Sequence, residues 1–299
     1  MQTGPFIAIF AALSFAIGIV MVRKAAGDAG EAFSATVMSI FAGIPLFIIA
    51  ISASRGWADL SHLPLKALLM FAAVGIIHFV AGRLLAYEAF RLIGANRATP
   101  ITQISPIPTI LLSWLFLSET PTYFIIFGVI FMMGGVFLIT REKGNPAGVK
   151  VLPRSIQTKG ILLSLGAALC WGISPVLIKP AVALAGSAAV GNLISYVAGG
   201  LGISFFFINR ERRNNFARLS FKRNILPMVV AGLFTAAGQL LCFVALQKSP
   251  ANVVAPLISI EILFIYIISY FGNRRGEVFT IKIALGMLAT VAGAFLLFR

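Results

Sequence analysis

Three ionisable side chains stand inside long apolar runs of this sequence: His78, Arg83 and Glu261. A charge at the centre of a bilayer costs roughly 2.5–3.5 kcal/mol on insertion scales, so such groups face the interior of a bundle and find partners there. Glu261 has about ten residues of apolar run on either side, too deep for its carboxylate to snorkel to water. Two roles are open to it. It forms a structural ion pair with Arg83 or His78, or it meets a solute amine or cycles a proton. Arg83 lies nearer the end of its run and can snorkel, while His78 sits deeper and can donate to a neighbouring carbonyl.

Neutral polar groups add a second set. Asn96, Thr99 and Gln103 recur at spacings of three and four, which places them along one helix face. In the second half Asn252 and Ser259 align with Asn96 and Gln103, and Gln239 aligns with Arg83. These groups suit hydrogen bonding either between helices or to a solute. Tyr87, Trp171, Phe15, Phe243 and Tyr266 could supply an aromatic lining, with packing or lipid contact as the plainer role.

What is absent narrows the chemistry. Only two Asp (Asp28, Asp59) and two His (His62, His78) are present. No pair of intramembrane aspartates, His-Glu-x-x-His helix, Walker loop or Gly-x-Ser-x-Gly element exists to support a membrane enzyme or an ATP-driven pump. We therefore expect no enzyme activity, no metal and no cofactor. Cys170 and Cys242 lie in apolar runs and behave as small hydrophobes.

The elements that position these residues follow from composition. Of 299 residues, 59% are hydrophobic and 11% charged, with mean hydropathy +0.98, whereas a soluble domain carries roughly 25% charged residues. Apolar runs near 4–22, 32–53, 65–90, 95–117, 121–140, 158–181, 187–208, 225–247, 251–271 and 278–298 are each long enough to span a bilayer. The fourth and ninth are interrupted by proline: Pro100, Pro106 and Pro108 in one, Pro256 in the other. Irregular backbone at membrane depth is tolerated where it lines a cavity or is buried in protein.

The net charge of +15 belongs to short loops, which makes it a signal of membrane orientation and not of nucleic-acid binding. Eighteen of the 24 Lys and Arg lie after odd-numbered spans, on what we call the basic face; five lie on the other side, and Arg83 is within a span. The bias predicts a cytoplasmic basic face with both termini outside.

The chain also repeats. At a lag of 156, Ala11-Ala12-Leu13 falls on Ala167-Ala168-Leu169, Arg23 on Lys179, Gly82 on Gly238, Ala95-Asn96 on Ala251-Asn252 and Pro100 on Pro256. At lag 158, Glu119 falls on Glu277, Gly128 on Gly286 and Gly135 on Gly293. The expected architecture is an all-α membrane protein of ten transmembrane helices, with one unit over 1–143, a connecting loop over 144–157 and a second unit over 158–299. Five helices is an odd number, so the second copy enters the membrane from the opposite side. Inverted repeats of this kind allow two equivalent gates to open alternately around a midplane site. Pro100 and Pro256 are then the candidate hinges. Glu119 and Glu277, at the start of the last helix in each unit, are expected to act structurally, at the positive end of a helix dipole.

The ordered set Tyr87-x-Ala89-Phe90, Ala95-x-x-Ala98-Thr99-Pro100-Ile101, Leu117-Ser118-Glu119 and Gly134-Gly135, echoed by Phe243-x-Ala245-Leu246, Pro250-Ala251-x-x-x-Ala255-Pro256-Leu257, Glu277 and Gly293, resembles the EamA repeat of ten-helix drug/metabolite transporters. The resemblance covers nearly the whole chain. The second copy lacks a proline matching Pro106 or Pro108, which leaves the shape of the ninth span open.

The resemblance implies a central cavity walled mainly by spans one, three, four, six, eight and nine, with spans five and ten peripheral. It implies a transporter of small organic metabolites, and with the inverted repeats we expect a secondary transporter, an exporter by our reading. Substrate is not inherited from a fold. A mostly apolar cavity with one or two charges favours an amphipathic solute such as a hydrophobic amino acid, contacted by His78, Arg83, Tyr87, Asn96, Thr99, Gln103, Trp171, Gln239, Ser259 and Glu261. The alternatives are a drug or cation, a nucleotide sugar or sugar phosphate, or, in another class, a membrane enzyme or channel. A phosphorylated solute would need several convergent cations at depth, and only Arg83 is a candidate. The expected partners are lipid, the solute and a proton as candidate coupling ion, in a prokaryotic cytoplasmic membrane, as a monomer or weak homodimer.

Overall fold

The computed structural model describes residues 3–25, 31–54, 56–93, 98, 101–143, 153–205, 225–272 and 281–298. Those residues fold into helices, with no strand among them. The first repeat holds α1 (Thr3–Ala25), α2 (Glu31–Ala53), the short α3 (Trp57–Ser61), α4 (Leu65–Val74), a π-helical segment (Gly75–Gly82), α5 (Arg83–Ile93), α6 (Pro106–Leu117) and α7 (Tyr123–Lys143). The second holds α8 (Arg154–Ala185), α9 (Ala188–Ser204), α10 (Ile225–Lys248), α11 (Ala251–Ile258), α12 (Glu261–Gly272) and α13 (Ile281–Leu296). In lipid each backbone polar group must be satisfied within its own segment, so apolar runs of this length become helices. Five are long and apolar enough to cross a membrane by length and composition: Thr3–Met21, Leu65–Phe90, Arg154–Ala185, Val229–Lys248 and Ala251–Ile268. Shorter apolar helices supply the others.

The third span is α4, the π segment and α5 in continuous succession; the ninth is α11 followed by α12. Proline alone does not decide where a span breaks. Pro45, Pro175 and Pro180 all lie inside uninterrupted helices. Gly186 ends α8 in the left-handed region at φ 73°, its N–H donating to Val182 O at 2.9 Å, and the Ser187 hydroxyl accepts from Val190 N to begin α9. Ser118, at φ 56°, turns the chain after α6 and sends Glu119 away from its own helix.

Packing repeats with the sequence. Small residues let α1 lie against α10 and α8 against the third span, and these are repeat-equivalent interfaces. A Cβ on Gly82 would meet Trp171 Nε1 at 2.7 Å, and one on Gly238 would meet the Phe15 ring at 2.8 Å. Those two contacts are the same contact seen in the two halves, one lag apart. The α7–α13 interface is its own mirror image: Gly128 abuts Gly293 O while Gly135 abuts Gly286 O. The repeats are therefore two inverted five-helix units related by a pseudo-two-fold axis in the membrane plane. Outward surfaces are apolar, with Phe116, Tyr123, Ile281 and Phe295 each more than 70% exposed. Contiguous apolar exposure on this scale suits lipid and not water.

Candidate functional site

Spans four and nine break at equivalent places. Between Gln103 and Ser105 the chain leaves helical geometry, with Ile104 N donating to Ile101 O and Ile107 N to Ile104 O. Between α11 and α12, Ile260 N donates to Leu257 O and Leu263 N to Ile260 O. These three-residue steps coincide residue for residue at the lag of 156. The ninth span thus breaks without any match to Pro106 or Pro108. Each break presents the end of one half-helix and the start of another, the arrangement with which discontinuous membrane helices bind solutes and ions.

Glu261 belongs to this break. It opens α12 instead of standing mid-helix as its run suggests, and its carboxylate sits at the positive end of that half-helix. Gln103 Nε2 donates to Glu261 Oε1 at 2.9 Å, joining the two breaks across the pseudo-axis. Among the described residues no ion pair joins Glu261 to Arg83 or His78, one of the two roles open to it. Arg83 Nη1 donates to Ser39 Oγ at 2.7 Å, and its guanidinium lies 5.1 Å from the Phe79 ring centroid. The guanidinium reaches the neighbouring second span first, and among the described residues no carboxylate neutralises it.

His78, within the π segment, lies beside Trp171, with ring centroids 6.3 Å apart. His78 Nδ1 and Trp171 Nε1 are both buried without a hydrogen-bond partner. A π segment widens the helix and is found often at functional sites. On the adjoining side, Tyr196 is packed edge-on against Phe47 and Phe79, at 4.6 and 4.5 Å.

A third cluster forms around Glu119, at a position where residue type alone suggests only a local cap. The Glu119 carboxylate accepts from the backbone N–H of Ala251 (2.8 Å) and Asn252 (3.2 Å), and Asn252 Nδ2 donates back to Glu119 O. Lys179 Nζ lies 3.1 Å from Glu119 Oε1 and donates to Ser249 O at 2.8 Å. Glu119 thus caps a half-helix of the opposite repeat, while a lysine of the sixth span holds both. Its dipole role is the one expected, on a different helix. The signal in the sequence is the coincidence of two lags, Glu119 with Glu277 and Arg23 with Lys179. This cluster lies on the face that carries the termini, where Gly4 abuts Ser249.

Of the remaining candidates, Gln239 and Ser259 are buried, Ser259 within the break itself. Pro256 is inside α11, and Tyr87 is half-buried with its ring 6.2 Å from Phe90. Asn96, Thr99 and Pro100 lie outside the described residues, as does Glu277. At the basic face a cavity of about 300 Å³ is lined by Ile93, Ile101, Gln157 and Ile161, from spans three, four and six. Among the described residues no group of His, Cys, Asp or Glu could hold a metal ion.

Broken helices paired about an axis in the membrane are an architecture found in many multi-pass secondary transporters. The EamA-like transporter family matches residues 2–141 and again residues 158–299, and the chain belongs to that family. It is 24% identical over 282 residues to solute carrier family 35 member G1 of Mus musculus, covering 90% of this chain and 72% of the relative. A solved structure superposes with a TM-score of 0.78 at 14% identity, over 99% of this chain and 95% of the other, which is a likeness of fold alone. The family and the relative point to a transporter and not an enzyme.

Proposed function

We propose that this protein carries small amphipathic metabolites, hydrophobic amino acids first among them, by alternating access. The observation that supports it most is the coincidence of the two helix breaks, tied by Gln103 and Glu261. Each break is a place where a span can bend without losing its packing on either side. Under this reading the Glu119–Lys179 cluster closes the face of the termini and parts when that face opens. Lys and Arg bias favours the basic face as cytoplasmic. Glu261 then serves as the proton-carrying or amine-binding group at the midplane. The test is reconstitution in liposomes with labelled leucine, glucose 6-phosphate and tetraphenylphosphonium, measuring flux under imposed pH gradients of either sign. Saturable leucine flux is expected. No saturable flux of any solute overturns the transporter reading; sugar-phosphate flux alone overturns the solute class.

A further inference from the structure

At one seat shared by the two halves, both the polarity of the side chains and the local backbone differ. In the third and sixth spans the chain places His78 and Trp171. At the lag of 156 the eighth and first spans place Phe234 and Phe15. The contact that seats the pair is retained, since Gly82 lies against Trp171 as Gly238 lies against Phe15. The local backbone differs there: residues 75–82 are π-helical, whereas the equivalent 231–238 lie inside the regular helix α10. In one half this pair of positions is apolar. In the other, two ring nitrogens are buried with nothing to bond. An unpartnered buried polar group is destabilising, so its retention in a folded chain points to a functional role or to a partner supplied from outside.

The chemistry of that partner follows from the groups present. An indole N–H only donates, and an imidazole can donate from Nδ1. Arg83, in the same span, brings a cation that no carboxylate neutralises among the described residues, its hydrogen bond going to a neutral hydroxyl. Donors beside an uncompensated positive charge select an anionic acceptor. One centre of charge, instead of several convergent cations, suits a carboxylate better than a phosphate. Across the pseudo-axis, Phe15 and Phe234 offer only apolar surface.

Resting on the transporter reading above, we propose that His78 and Trp171 form the carboxylate-binding pole of the solute site, with the apolar part of the solute directed to Phe15 and Phe234. The solute site so assigned has one polar and one apolar wall, and an amphipathic monocarboxylate would bind between them in a single orientation.

The experiment uses the full chain with Trp57→Phe and Trp114→Phe, leaving Trp171 as the only tryptophan. Three probes share one carbon skeleton: leucine, 4-methylpentanoate, which lacks the amine, and leucinamide, which lacks the carboxylate. Leucine and 4-methylpentanoate should change Trp171 emission saturably and compete with each other. Leucinamide should bind at least tenfold more weakly. In liposomes, His78→Phe with Trp171→Phe should abolish the preference for leucine over leucinamide while the protein stays monodisperse. Equal binding of leucinamide, flux confined to solutes without a carboxylate, or an undiminished preference in the double variant would overturn the proposal. If the double variant fails to fold, the three-probe comparison on the single-tryptophan protein still decides. Absence of all flux defeats the transporter reading, whereas flux indifferent to the carboxylate defeats only this inference.

Discussion

Gln103 and Glu261 meet at 2.9 Å, amide to carboxylate, each at the point where its own span breaks. They come from opposite repeats and are not equivalents of each other, because Gln103 aligns with Ser259 and Glu261 with Ser105. The bond is an asymmetric tie laid across a symmetric frame. Gln103→Ala should cost about 1.5–3 kcal/mol, the range for a hydrogen bond to a charged group. Glu261→Gln keeps the shape and should cost less, while removing the pH dependence of flux. Melting curves in detergent and flux at several pH values check the pair. Unchanged pH dependence in Glu261→Gln would make the residue structural.

Glu119 caps α11 through two backbone N–H groups, so Glu119→Ala should lose about 1–2 kcal/mol, as for other helix caps. Glu119→Gln still offers an oxygen to Ala251 and should lose less. Lys179 is 29% exposed, which limits the energy of its ion pair. Lys179→Met should nonetheless be almost silent when added to Glu119→Ala, and a double-mutant cycle reads that coupling. Additive costs would show that the two residues act separately.

The glycine pair at 134 and 135 gives an internal control. A Cβ on Gly135 would strike Gly286 O and Thr290, whereas one on Gly134 meets nothing within 4 Å. Gly135→Ala should destabilise by about 1–3 kcal/mol through overpacking. Gly134→Ala should be neutral or stabilising by up to about 1 kcal/mol from helix propensity. Thermal shifts of opposite sign from adjacent residues would locate the α7–α13 interface.

Gly82→Ala and Gly238→Ala push on Trp171 and Phe15 respectively. Both should lower stability by about 1–3 kcal/mol. Only Gly82→Ala should also weaken the preference for leucine over leucinamide, because it displaces the indole nitrogen. Equal loss of that preference in the two variants would deny any difference between the walls.

The repeat and its inversion were legible because self-alignment needs no knowledge of contacts: Gly82 with Gly238 and Gly128 with Gly286 stand at fixed lags. The break in the ninth span was only half legible. Pro256 marks the region, yet Pro45, Pro175 and Pro180 leave their helices whole, so proline content does not tell a bend from a break. The partner of Glu119 could not be read at all, since Ala251 is 132 residues away and the bond is to its backbone. The choice between the two roles open to Glu261 was hidden for a related reason. Residue type allows Arg83 as a partner, but helix phase sends its guanidinium toward Ser39. The π segment has no local signature beyond the glycines at its two ends, Gly75 and Gly82.

Helix α8 runs for 32 residues, about 48 Å at 1.5 Å per residue, against a hydrocarbon core of roughly 30 Å. It must lean or stand proud of the bilayer at its Arg154 end. Trp171 and Gly172 pack it against the third and fourth spans, so that level is its fulcrum. Arg154 is 17 residues away along the helix, a lever arm of about 25 Å. A tilt of about 10° at the fulcrum swings that end by about 4 Å, by the same helical rise. Under the proposed reading, a slight adjustment around a bound solute would be magnified into a displacement large enough to open or seal the basic end of the sixth span.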